Sequence, residues 1–204
     1  MPTRPRREPR QARSRDMVER IVEGAIRVLV SDGYHEASTN RIARQAGVSP
    51  GSVYQYFANK EEIVDAISVR MIAATALEME PALRESAALP PTEAVPKVLG
   101  AALDSLQARS GLLRAMVDYL PADEQRRNLS GLSARLADRV HAGLAATGES
   151  SLEEAERRTW MIVEVCQSLL VRYVLDEPGF GREEFLGDLS TLVIELAGVG
   201  EADG

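Results

Sequence analysis

From Met17 to about residue 198, apolar residues recur every three or four positions, interrupted only by short turn signals. Met17, Ile21, Ala25 and Leu29 form the first stripe, which ends at Ser31-Asp32-Gly33. Short segments follow from Thr39 to Ala46 and from Pro50 to Phe57. A longer helix starts at Lys60, with Ile63, Ile67 and Met71 on one face, and is expected to fade near Pro81. Pro90-Pro91 marks a loop, after which helices are expected at about 92–109, 112–120, 122–147, 152–176 and 182–198. Strand alternation is absent, so the pattern predicts an all-α chain of about nine helices.

Charge is distributed unevenly along that pattern. The net charge of −7 combines a basic stretch, residues 1–60 with 11 Lys/Arg against 6 Asp/Glu, and an acidic remainder with 13 against 25. A polyanion would dock at the basic end. Residues 1–15 hold six arginines, one glutamate and three prolines, too little apolar surface to bury, and are expected to form a disordered basic arm. Such an arm is compatible with a solvated tail or with contact to DNA. No apolar run approaches the roughly 18 residues that span a bilayer, and no apolar signal region follows the arginines. The single cysteine, Cys166, cannot form an intramolecular disulfide. These features suit a soluble cytoplasmic protein with no membrane partner.

Three of the nine aromatic residues, Tyr54, Tyr56 and Phe57, fall within four positions of one short polar segment. Gly47 suits the left-handed position that closes a helix. Ser49 can cap the next helix, whose first residue, Pro50, has no N–H to satisfy. Helix, short turn with glycine, helix is the helix-turn-helix layout. On a wheel with Ser52 at zero, Val53 falls at roughly 100° and Phe57 at roughly 140°, pointing inward. Ser52, Gln55 and Tyr56 cluster on the other side, and the Tyr54 ring lies between. Glutamine can contact adenine with two hydrogen bonds, and serine can meet any base edge. Tyrosine hydroxyls and helix-start N–H groups suit phosphates. In the preceding helix Ile42, Ala43 and Ala46 point inward, and Arg41, Arg44 and Gln45 outward. Asn59 reads as a cap with Glu62 completing a capping box. Lys60 then stands where the helix dipole disfavours a cation, which predicts an outside anion such as phosphate.

Residues 20 to 64 resemble the DNA-binding region of tetracycline-repressor-type (TetR family) regulators. The matching residues are Gly33-Tyr34, Ser38-Thr39, Ile42-Ala43, Ala46-Gly47-Val48-Ser49, Gly51, Tyr54, Tyr56-Phe57 and Asn59-Lys60-Glu61. The resemblance implies a homodimer that sets the helix at 50–57 of each subunit into successive major grooves of a pseudo-palindromic, double-stranded DNA operator. It places Thr39, Tyr54, Tyr56 and Lys60 at backbone-contacting positions, and Asn40, Arg41, Pro50, Gly51, Ser52 and Gln55 at positions that approach bases or phosphates. Gln55 departs from the aromatic or histidine often found there, so no operator sequence can be carried over. The domains expected on this reading are a basic arm (1–15), a helix-turn-helix domain (16–59) and a ligand-binding and dimerisation domain (60–204).

The resemblance further implies a repressor released by a small apolar or amphipathic ligand, with the helix at Lys60 coupling the two domains. Met116, Tyr119, Trp160, Cys166, Gln167 and Tyr173 are large or polar groups on apolar helices, and suit either the core or a pocket lining. Ile162, Leu169 and Leu170, with Phe185, Leu189, Leu192, Val193 and Leu196, make the last two helices broadly apolar, which suits burial against the core and a partner subunit. No cofactor is expected. His35 and His141 lack spaced ligand partners, no phosphate-loop or dinucleotide fingerprint is present, and the carboxylate pairs sit at helix starts, which argues against an enzyme. A regulator controlled by a protein partner or by its own abundance is the alternative to a ligand switch.

Overall fold

Eight α-helices and one 3-10 turn make up the regular structure among the described residues, 10–117 and 151–198, of the computed structural model. The helices are α1 (Arg10–Glu36), α2 (Thr39–Ala46), α3 (Pro50–Tyr54), α4 (Lys60–Glu85), α5 (Pro91–Gln107), α6 (Ser110–Val117), α7 (Leu152–Asp176) and α8 (Arg182–Ala197). The helix expected at about 122–147 and the candidate residue Tyr119 lie outside the described residues. No helix among those described is long and apolar enough to cross a membrane.

Three boundaries differ from expectation, each for a local reason. α1 begins at Arg10, so the last part of the expected disordered arm is helical. Arg, Gln and Ala are strong helix formers, and Pro9 stands just ahead of the first turn, where proline is tolerated. α4 does not fade near Pro81 but continues to Glu85, with a 3-10 turn at Ser86–Ala88. α3 stops at Tyr54, before Phe57. The turn signal at Gly33 is real: its φ of 77° breaks the helical run inside α1.

The chain divides into two compact units, and the division falls inside α4, between Ser68 and Val69; the end of α6 from Ala115 goes with the first unit. In the first unit Ile21, Ala25 and Leu29 of α1 meet a core that holds Ile42, Val53 and Phe57. Ile63, Val64 and Ile67 are at most 1% exposed, so the first two turns of α4 belong to that core. Each such aliphatic side chain contributes about 1.5–3 kcal/mol when fully buried. Gly24 lets α1 approach α2 closely, since a Cβ there would lie 2.8 Å from that of Ala46.

The second unit is built on Leu99, Ala102 and Leu103 of α5, packed with α7 and α8. Tyr173 stacks on Phe185 at 4.2 Å, and Phe180 joins them at the turn between α7 and α8. Arg109 pairs with Glu78 of α4, and the buried Ser105 hydroxyl donates to the same carboxylate at 2.7 Å. These bonds hold the Glu78 carboxyl down at about 2. Cations from other helices close two helix ends: Arg114 donates to the carbonyls of Val174 and Leu175, and Arg158 to that of Ala197. Positive charge at a helix C-terminus meets the negative end of its dipole.

Candidate nucleic-acid interface

The turn between α2 and α3 is closed at both ends by local hydrogen bonds. Ser38 caps α2, its hydroxyl accepting from the Arg41 N–H at 3.3 Å. Gly47 adopts a left-handed backbone (φ 66°). Its N–H donates to the Arg44 carbonyl at 3.2 Å and the Val48 N–H to Ala43 at 3.0 Å, the paired bonds of a Schellman ending. Ser49 then caps α3, its hydroxyl accepting from the Ser52 N–H at 3.1 Å, with Pro50 at the first helical position.

Two arginines of α1 brace this turn from behind. Arg20 donates to the carbonyls of Ala46 (3.1 Å) and Gly47 (2.8 Å), and Arg27 to that of Gln45 (3.1 Å). The sequence does not single out either one. Their partners lie 18 to 27 residues away, beyond the reach of any periodicity, and arginines on the polar side of a helix suggest only solvation.

The outward face of α3 is as the wheel arranges it. Val53 and Phe57 are buried, Gln55 and Gly51 are exposed, and Ser52 and Tyr56 are half-buried. Tyr54 is more open than expected, at 56% exposure, and its hydroxyl shares a 2.9 Å hydrogen bond with that of Thr39. The pair joins the start of α2 and the end of α3 in one hydroxyl site. Ser52 shares a 2.8 Å bond with Ser49, which fixes its rotamer. Asn40, Arg41 and Pro50 are exposed beside them. Gly51 meets nothing closer than the Ser49 hydroxyl, 3.9 Å from where a Cβ would stand, so the fold itself does not require a glycine here.

Lys60 has partners within the chain. Its ammonium donates to the carbonyls of Tyr34 (2.9 Å) and Ala37 (3.0 Å) and lies 3.7 Å from the centre of the Tyr34 ring. Acceptors for the ammonium are thus supplied inside the chain, and no outside anion is needed to explain a lysine there. Beside it the Tyr34 hydroxyl donates to Glu61 at 2.8 Å. The Glu61 carboxyl is held below its ordinary value by a main-chain N–H at the helix start, then by Tyr34 and the Lys60 charge. Asn59 caps α4 through the Glu62 N–H (2.8 Å), and Glu62 reaches back to the Ala58 N–H (2.7 Å). Arg41, though exposed, is also engaged within the chain, by the Glu36 carbonyl at 3.2 Å and by Asp32 at 2.8 Å.

Residues 21–67 match the family model described as bacterial regulatory proteins, tetR family, and residues 90–195 match the tetracyclin repressor-like C-terminal domain. The chain belongs to the TetR family. Among its relatives, the fatty acid metabolism regulator protein of Bacillus subtilis is 36% identical over 67 residues, 33% of this chain and 34% of the relative. TtgW of Pseudomonas putida, an HTH-type transcriptional regulator, is 38% identical over 56 residues, 28% of this chain and 42% of the relative. These alignments thus span well under half of each relative's length. Among solved structures, the fatty acid degradation regulator FadR of Bacillus halodurans superposes with a TM-score of 0.63 at 21% identity, over 92% of this chain and 96% of that one. At that identity the likeness is one of fold.

In this TetR-family chain the residues expected to line a pocket stand in different local surroundings, each described in its own unit. Met116 is buried, at the end of α6 that goes with the first unit. Trp160 is 64% exposed on α7. Cys166 is half-buried and Gln167 likewise; desolvation pushes the Cys166 thiol up to about 12, which makes it a poor nucleophile. Tyr173 borders an open cleft of about 420 Å3, with Gln107, Ser110, Val174, Glu177 and Pro178. Of those neighbours, Ser110, Glu177 and Pro178 read in sequence only as turn signals.

The expected interface residues also separate. Ile162, Leu170, Phe185, Leu189 and Val193 are buried within the chain itself. Leu169 and Leu192 are exposed and Leu196 is half-buried. A broad apolar stripe cannot by itself tell a subunit's own core from a subunit contact.

Proposed function

We propose that this chain is a sequence-specific DNA-binding transcription regulator that acts as a homodimer, with α3 of each subunit entering a major groove. One observation carries the reading: Gly51, Ser52, Gln55 and the Thr39–Tyr54 hydroxyl pair form one outward face, on a turn braced by Arg20 and Arg27. On this reading Gln55 reads a base, Tyr54 and Thr39 meet a phosphate, and Pro50 and Gly51 keep the start of α3 slim. Asn40, Ser52 and Tyr56 flank that contact. Lys60 and Arg41 support the frame from within.

The homodimer forms on the outer faces of α7 and α8, where Trp160, Leu169 and Leu192 stand exposed. Tryptophan is among the residues most enriched at the centre of such contacts. The regulator is a repressor that releases its operator when a small amphipathic molecule binds in the second unit. The cleft beside Tyr173 supports that reading, since ligand sites commonly hold about 300–1,000 Å3 and combine an aromatic wall with a few polar groups. A coupling of about 1–3 kcal/mol would change operator affinity roughly 5- to 150-fold.

The test is Gln55→Ala on a duplex enriched from random DNA. Preference at one base position in each half-site is expected to relax by about 1–3 kcal/mol, with the other positions unchanged. Unaltered preference at every position would remove Gln55, and with it this face of α3, from sequence reading.

A further inference from the structure

The cleft beside Tyr173 lies wholly within the second unit, bordered by the end of α5, the start of α6, the end of α7 and the turn after it. Among its lining residues Glu177 alone is charged, and that charge is matched by Arg114, which also donates to the carbonyls of Val174 and Leu175. The Arg182 guanidinium, which reaches the Gln107 side chain, is matched in turn by Asp104. No unmatched charge is left among the lining residues to recognise an ion.

Hydrogen-bond donors are left instead. Gln107 meets Arg182 at 3.2 Å. A guanidinium only donates, so the Gln107 side-chain oxygen faces Arg182 and its NH2 points away. That NH2 and the Ser110 hydroxyl have no hydrogen-bond partner among the described residues. Tyr173, stacked on Phe185, supplies an aromatic wall, with Val174 and Pro178 beside it. Glu177 ends α7 in left-handed backbone (φ 45°), and among the described residues it is the one non-glycine with a positive φ. Such conformations cluster at ligand sites.

We propose that this cleft takes an uncharged aromatic molecule bearing an amide or another carbonyl group. The carbonyl oxygen accepts from the Gln107 NH2 and the Ser110 hydroxyl, and the ring of the ligand lies beside Tyr173. The inference rests on the ligand-switch reading above, and names the class of molecule that reading leaves open.

The test titrates the full chain at neutral pH with three probes of one shape: benzamide, benzoate and benzylamine. Benzamide is expected to bind several-fold more tightly than either ion. Gln107→Leu and Ser110→Ala are each expected to weaken benzamide by about 3- to 10-fold, the loss of one hydrogen bond, with helix content unchanged by circular dichroism. Benzamide binding that neither variant alters would overturn the assignment of these donors. Tighter binding of benzoate or benzylamine, weakened by the same variants, would overturn the uncharged class and leave the cleft as a ligand site. Binding of none of the three would overturn the cleft and the class together. Benzamide that binds as expected but leaves the enriched duplex bound would overturn the switch and leave this inference standing.

Discussion

The Lys60 ammonium sits 3.7 Å above the centre of the Tyr34 ring while donating to the carbonyls of Tyr34 and Ala37. One side chain thus closes the end of α1, stacks on an aromatic face and tethers the first turn of α4 to both. A hydrogen bond from a charged donor contributes about 1.5–3 kcal/mol and an exposed cation–π contact about 0.5–1 kcal/mol, before the entropy of ordering a lysine is subtracted.

Lys60→Ala is therefore expected to lower unfolding free energy by about 1–3 kcal/mol, read by urea denaturation. The slope of DNA affinity against salt should stay nearly unchanged. A slope reduced by about one unit with stability intact would place Lys60 on a phosphate instead.

Two glycines give opposite expectations. A Cβ on Gly24 would lie 2.8–2.9 Å from the Cβ, N and Cα of Ala46, so Gly24→Ala forces α1 and α2 apart. The expected cost is about 1–3 kcal/mol, with operator binding reduced as well. Gly51→Ala meets only the Ser49 hydroxyl, at an ordinary contact distance of 3.9 Å, and should leave stability equal or raised by up to about 1 kcal/mol. Its operator affinity should nevertheless fall. Thermal melting and titration of labelled duplex separate the two effects, and a Gly51→Ala protein that binds DNA normally would show that nothing approaches α3 at that point.

On the proposed dimer, Trp160, exposed on α7, is the residue whose substitution reports on the subunit contact. Trp160→Ser should weaken self-association by about 2 kcal/mol or more, roughly 30-fold, with helix content unchanged. Sedimentation equilibrium checks this. A dimer of unaltered strength would move the contact to another face.

What can be read from the sequence is local. Gly47, Ser49, Pro50 and Asn59 act within four residues of themselves, and the wheel over Val53 to Phe57 needs only the helical repeat, so the turn and the outward face are legible. The roles of Arg20, Arg27, Lys60 and Arg41 are not, because their carbonyl partners are set by how α1, α2 and α4 pack. Pro81 misleads, since losing one helical hydrogen bond does not end a helix held by its neighbours. The apolar breadth of α7 and α8 hides which residues face inward: Leu170 and Leu189 are buried within the chain, whereas Leu169 and Leu192 are not. Trp160 carries no sign in sequence that it lies on the surface.

Selection of bound duplexes from a random DNA pool at near-physiological salt bears most directly on a dimer that reads DNA through α3. The expected result is enrichment of an inverted repeat whose half-sites are centred about 34 Å apart, one turn of DNA, with two chains bound per duplex. Enrichment of no sequence, or of one unrepeated site bound by a single chain, would contradict it.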